Sequence, residues 1–167
     1  MKLEHYLKRV EESSEYQSFI QENPEAYLCA GFFVLDFEDG KNIYQIDYYL
    51  PHSKKIATFT LDKGVSIKLS EPLKGKFKNK KLEKLRGEIK TDLEALQGIV
   101  QDEMKNRNIT QELKKIIAVL QNQEEKNIWI LNCITAGLGI LKVHIDDDTS
   151  SILEFEKANL FDLLRKV

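Results

Sequence analysis

The sequence predicts an α+β domain in which an antiparallel sheet, built from two meanders of about four and three strands, carries its helices on one side. Three observations lead there. The hydrophobic period switches from helical to alternating at Tyr27, returns to helical spacing after Pro72, and alternates again from Ile128. The second observation is a recurrence of turn residues about every ten positions through Tyr27 to Leu69. The third is size: 167 residues with 42% hydrophobic content and only three prolines suit one core, without a linker dividing residues 1–167 into independent units.

The chain begins with Leu3, Tyr6, Leu7 and Val10 at helical spacing, interrupted at Ser13 and Ser14. Ser14 with Gln17 three residues later reads as a capping box, so a kinked pair of short helices is expected before Pro24. Four strands follow. Asp39-Gly40 marks the first hairpin, Pro51-His52-Ser53 the next connection and Asp62-Lys63-Gly64 the third. Strand two places Tyr44, Ile46, Tyr48 and Leu50 on one face, with Gln45, Asp47 and Tyr49 on the other. Strand one is apolar on both: Cys29, Phe33, Leu35 and Phe37 alternate with Leu28, Ala30, Phe32 and Val34. Such a strand needs both sides covered, by a second layer, a ligand or another chain.

Past Pro72, Leu82, Leu85, Ile89, Leu93, Leu96, Val100 and Met104 form one stripe, which predicts a long central helix of about seven turns. Leu113, Ile116, Ile117 and Leu120 suggest another helix, opened by Thr110. Strands are then expected at Ile128 to Thr135, Ile140 to Asp146 and Ile152 to Glu156. In the last hairpin, a turn at Asp148-Thr149 sets Val143 opposite Phe155 and Ile145 opposite Leu153 inside, with His144 against Glu154 and Lys142 against Glu156 outside. Asn159 and Asp162 cap a short C-terminal helix carrying Leu160, Phe161, Leu163 and Leu164. The order reads as a loose duplication, with residues 1–73 and 74–167 each giving helix then meander.

The net charge of -2 conceals a dipole, because Lys74 to Lys90 holds eight basic and two acidic residues. Lys76, Lys78, Lys80, Lys81 and Lys84 are the candidate basic patch for an anion or RNA, although one aromatic, Phe77, makes a solvated helix face the simpler account. Asp146, Asp148 and Ser150 resemble the opening of a calcium loop, but Ser151 and Lys157 stand where glycine and a bidentate glutamate are required, so no metal site is expected. Gly137-Leu138-Gly139 lacks the lysine and following helix of a phosphate loop. The three histidines have no motif partners, and Cys29 and Cys133 stand alone in strand-like surroundings as reduced thiols. No catalytic constellation or cofactor motif emerges. The first residues, Met-Lys-Leu-Glu-His-Tyr-Leu-Lys, lack the apolar core of a secretory signal, and the expected location is cytoplasmic.

From Thr110 through Trp129 to Val143-His144-Ile145-Asp146-Asp147-Asp148-Thr149-Ser150-Ser151-Ile152-Leu153, the order of helix, strand and Asp-x-x-Thr turn resembles PepSY-type modules, with Ser150 where that pattern has glycine. The resemblance implies a helix packed on a small antiparallel sheet, in modules that are mostly extracytoplasmic, inhibitory or regulatory and without catalytic residues. The preferred expectation is a non-catalytic domain that binds a protein partner or its own copy through Phe32, Val34, Tyr44, Tyr48 and Tyr49. A second reading is a ligand pocket between sheet and long helix, with Tyr44, Tyr48, Cys29 or Cys133 as its polar groups. The third is the anion or RNA contact through residues 74–90.

Overall fold

A computed structural model describes residues 2–71 and 82–159. Two helices, α1 (Leu3–Glu11) and α2 (Ser14–Glu22), lead into β1 (Tyr27–Asp36), β2 (Ile43–Leu50), β3 (Lys55–Leu61) and β4 (Val65–Ser70). After α3 (Leu93–Asn106) come β5 (Leu113–Gln123), β6 (Lys126–Thr135), β7 (Gly139–Asp146) and β8 (Ile152–Asn159). All eight strands form one antiparallel sheet in the order β4-β3-β2-β1-β5-β6-β7-β8. Two four-stranded meanders are therefore fused back to back through β1 and β5.

The kinked start forms as the sequence predicts, with a different cap. Ser13, one residue earlier than expected, accepts a hydrogen bond from the backbone N–H of Tyr16 at 3.1 Å. The three hairpins of the first meander fall where the turn residues place them, and Gly40 takes a φ of 67° at the first.

Of two expected helices, one is shortened and the other is replaced by a strand. The stripe from Leu82 to Met104 is helical only from Leu93; residues 82–92 run as an irregular strap, and Gly87 at φ 53° takes the left-handed backbone that ends any helix there. Residues 113–123, expected as a helix and part of the PepSY resemblance, are strand β5. Leu113, Ile116, Ala118 and Leu120 face the helices while Ile117 and Val119 face away, so both sides are apolar and the spacing imitates a helix. The second meander consequently has four strands rather than three. The C-terminal helix expected beyond Asn159 lies outside the described residues.

The three helices contribute Leu3, Val10, Phe19, Leu93, Leu96, Val100 and Met104 to one core, together with Phe33, Ile46, Phe59, Ile116, Trp129, Leu141 and other inward residues of the sheet. Gly31 serves this packing: the Phe33 ring folds over it, and a Cβ there would meet that ring at 2.6 Å. No described helix is long and apolar enough to cross a membrane.

The strap is fastened by side chains that act as substitute backbone. Asn127 accepts from Arg86 N at 2.9 Å and donates to Arg86 O at 2.6 Å. Buried Asp147 gathers three donors: Lys90 N at 2.9 Å, Thr91 N at 3.0 Å and the Trp129 indole N–H at 2.8 Å. The Thr91 hydroxyl donates to Asp147 O at 2.9 Å. An irregular segment crossing a core edge must satisfy its amides somewhere, and here a single carboxylate satisfies two of them and the indole.

Candidate functional site: the open face of the sheet

Because side chains alternate along a strand, the sheet has two faces. One lies under the helices. On the other, the register lines up Thr60, Gln45, Phe32, Val119, Ile130, His144 and Glu154 in one cross-strand row. The next row reads Ile43, Val34, Ile117, Asn132, Lys142 and Glu156. Phe32, Ile117, Val119 and Ile130 are half-buried and stand outside the helix-side core. Val34 is buried among its neighbours, whereas Ile43 is 40% exposed. The result is an apolar centre on β1, β5 and β6, ringed by Gln45, Asp47, Asn132, Lys142 and His144.

Strand one is two-sided, as the sequence indicates, but a β-bulge between Leu28 and Ala30 shifts its start. Leu28 turns toward the helices. Cys29 turns away from them, and its thiol donates to Asp47 O at 3.4 Å. Burial and the nearby Asp47 carboxylate push the Cys29 thiol up to about 12, so it is protonated and unreactive at neutral pH. Burial likewise raises Asp47, partly offset by the Thr58 hydroxyl that donates to its carboxylate at 2.7 Å.

The five expected contact residues separate. Phe32 and Val34 lie in the apolar centre. Tyr44 and Tyr48 belong to the helix side: Tyr44 stacks on Tyr6 at 4.7 Å, and Tyr48 packs against Tyr16, Phe19 and Phe59. Tyr49 does point away from the helices, but where the sequence predicts a ring exposed or partly covered by a partner it is 3% exposed within the chain itself, with its ring 5.6 Å from Tyr27. Ile117 and Val119 were missed as contact residues because β5 was read as a helix.

Of the basic patch, Lys76, Lys78, Lys80 and Lys81 lie outside the described residues. Lys84 is exposed, Arg86 pairs with Glu125 at 3.4 Å and Lys90 with Asp148 at 3.2 Å. The Asp146–Asp148 turn spends its carboxylates internally, on Asp148 N, the strap amides and Trp129, and no group of metal-ligating side chains occurs among the described residues. Between sheet and helices lies a cleft of about 170 Å³ beside Tyr6, Asn42, Tyr44 and Gln97. A larger cavity of about 660 Å³ opens on the other side, where Leu82 passes Cys29, Ala30, Gln121, Ile128 and His144. Buried Cys133, in contrast, is packed in the core with its thiol pushed up to about 12.

These features define an α+β class: one wide antiparallel sheet of two fused meanders, with the described helices on a single side and, on the opposite side, the strap's Leu82 and Glu83 passing beside Cys29. No family model matches the chain, and no curated protein does. Among solved structures, a crystal structure of a "putative lipoprotein" from Clostridium difficile 630 superposes with a TM-score of 0.58, covering 85% of this chain and 89% of that one at 14% identity. At that identity the likeness is one of fold.

Proposed function

We propose that this protein is a non-catalytic binding domain whose open sheet face receives another protein chain. The observation that carries the reading is the apolar centre formed by Phe32, Val34, Ile117, Val119 and Ile130 on the side away from every described helix. Contiguous apolar surface rimmed by polar groups is the pattern of a protein interface. The groups around it fit binding better than chemistry: the Cys29 thiol is held protonated, and His144 meets the Glu154 carboxylate across the hairpin at 3.3 Å, with no nucleophile between them among the described residues.

Carbene footprinting tests the reading. Labelling of Phe32, Ile117, Val119 and Ile130 should be several-fold lower in a concentrated extract of the producing cells than in dilute purified protein. Equal labelling in both would show that the face meets only water.

The cavity beside Cys29 favours a second reading, a small-molecule site. Its lining joins apolar Ala30 and Ile128 to Gln121, Asn122 and His144, and Asn122 Oδ1 is a buried acceptor without a donor. A fragment screen by NMR would support this reading if shifts cluster on Cys29, Asn122 and Ile128; shifts scattered over the surface would remove it.

A further inference from the structure

Resting on the interface reading above, we infer that the occupant of the open face is a second copy of this chain, packed face to face with its two-fold axis running along the strands between β1 and β5. Three features of the face point to it.

The first is extent. Eight strands about 4.8 Å apart, each offering roughly six residues at about 3.4 Å, make a face of about 38 by 20 Å, or on the order of 750 Å², with Leu82 and Glu83 walling only its end beside Cys29. A stable complex needs about 800 Å² from each partner. A flat peptide or a single helix would cover only part of that width. A second identical face has the same width and the same twist, so the two pack as an aligned sandwich about 10 Å apart.

The second is the arrangement of polar groups. Phe32, Val34, Ile117 and Val119 flank the proposed axis on β1 and β5, while the groups that resist burial, such as Asp47 and Lys142, sit one or two strands further out. An apolar centre inside a polar ring is what a closed two-fold interface requires.

The third is charge. On this face β4 presents Lys68 and β8 presents Glu154 and Glu156, at opposite edges of the sheet. A two-fold axis along the strands lays β4 of each copy over β8 of the other, so lysine meets glutamate at both ends. An axis across the strands would instead lay β4 on β4 and β8 on β8, bringing like charges together. The charge pattern therefore selects the orientation as well as the partner.

Sedimentation velocity on the purified full chain, from low to high micromolar concentration, reads the association directly. The expected result is a reversible monomer–dimer equilibrium, weakened on the order of a hundredfold by Val119→Lys or Ile130→Lys with circular dichroism unchanged. Lys68→Glu should weaken it about fivefold, and combining it with Glu154→Lys and Glu156→Lys should restore it. A wild-type chain that stays monomeric throughout overturns the inference. So does a dimer that survives Val119→Lys but is lost with Leu69→Lys on the edge strand, because association would then run through strand edges. A monomer whose open face is still protected in cell extract would exclude the second copy and leave the interface reading standing; equal labelling in both would remove both.

Discussion

The two halves of the molecule reach the same four-stranded meander by different means. In the first, α1 and α2 settle onto β2 and β3 through rings: Tyr16, Phe19, Tyr48 and Phe59 form a mutual cluster with centroids 5.3–6.5 Å apart. In the second, α3 supplies aliphatic side chains, and the strap before it is held by directional bonds to Asn127 and Asp147. The difference follows from what each half must bury. A helix satisfies its own amides, so apolar packing suffices to dock it; an irregular strap does not, and must be given acceptors. Aromatic packing tolerates small displacements, whereas a carboxylate with three donors fixes position.

This contrast is open to breaking. Asp147→Ala strands two backbone amides and an indole N–H in a buried place, and should lower unfolding free energy by about 4 kcal/mol in urea titration. A loss under about 1 kcal/mol would mean that the strap is not fastened there. Phe19→Ala removes one ring of the aromatic cluster and should lose about 3 kcal/mol, with the deficit recovered in large part by Phe19→Leu. No such recovery is expected for Asp147→Leu.

Alkaline titration sharpens the comparison, since each half buries one cysteine. Both thiols are pushed up to about 12 from the usual 9.0, chiefly by burial. The unfolded chain therefore releases these protons first. Stability should be intact below pH 9 and fall as pH rises from 9 to 12, by at most about 1.4 kcal/mol per pH unit for each thiol. Cys133→Ala should flatten that slope, and the loss common to Tyr6 and Tyr27, whose hydroxyls are also raised to about 12, should remain. The smallest effect belongs to the exposed pair of Lys90 and Asp148: Lys90→Gln should change stability by less than about 0.5 kcal/mol, because the strap's hold comes from its backbone N–H rather than its ammonium group.

Much of the first half was legible in the sequence because its turns carry their own chemistry. Asp39-Gly40 can do little but reverse the chain, and the alternation of β2 between Tyr44, Ile46, Tyr48 and Gln45, Asp47 is of period two. The last hairpin was legible through its charges, which pair His144 with Glu154 and Lys142 with Glu156 as expected. Its tip was not: a bulge between His144 and Ile145 sets Ile145 opposite Ile152 and leaves Leu153 55% exposed. Strand β5 was misread because a strand apolar on both faces has no alternation to show, and a bulge between Leu113 and Lys115 blurs the remainder. The strap was misread because Leu82, Leu85 and Ile89 share a spacing with a helix that begins only at Leu93; Gly87 was the contrary signal. Half of the open face followed from β1, and the other half was hidden with β5. The acceptor role of Asp147 had one trace, the need of a buried Trp129 indole for a partner.

The strand order also bears on how the chain reaches this state. Six of the seven strand pairings join neighbours in sequence; only β1 with β5, at the sheet centre, brings together segments as distant as Ala30 and Gln121. Hairpins close within microseconds, while a loop of that length must be closed before its contacts can reward it. The two meanders can thus form early as separate nuclei, leaving the zippering of β1 onto β5 as the slow step. Until it happens, both strands expose hydrogen-bonding edges and two apolar sides, which makes the interval before that pairing the period when the nascent protein is most exposed to misassembly.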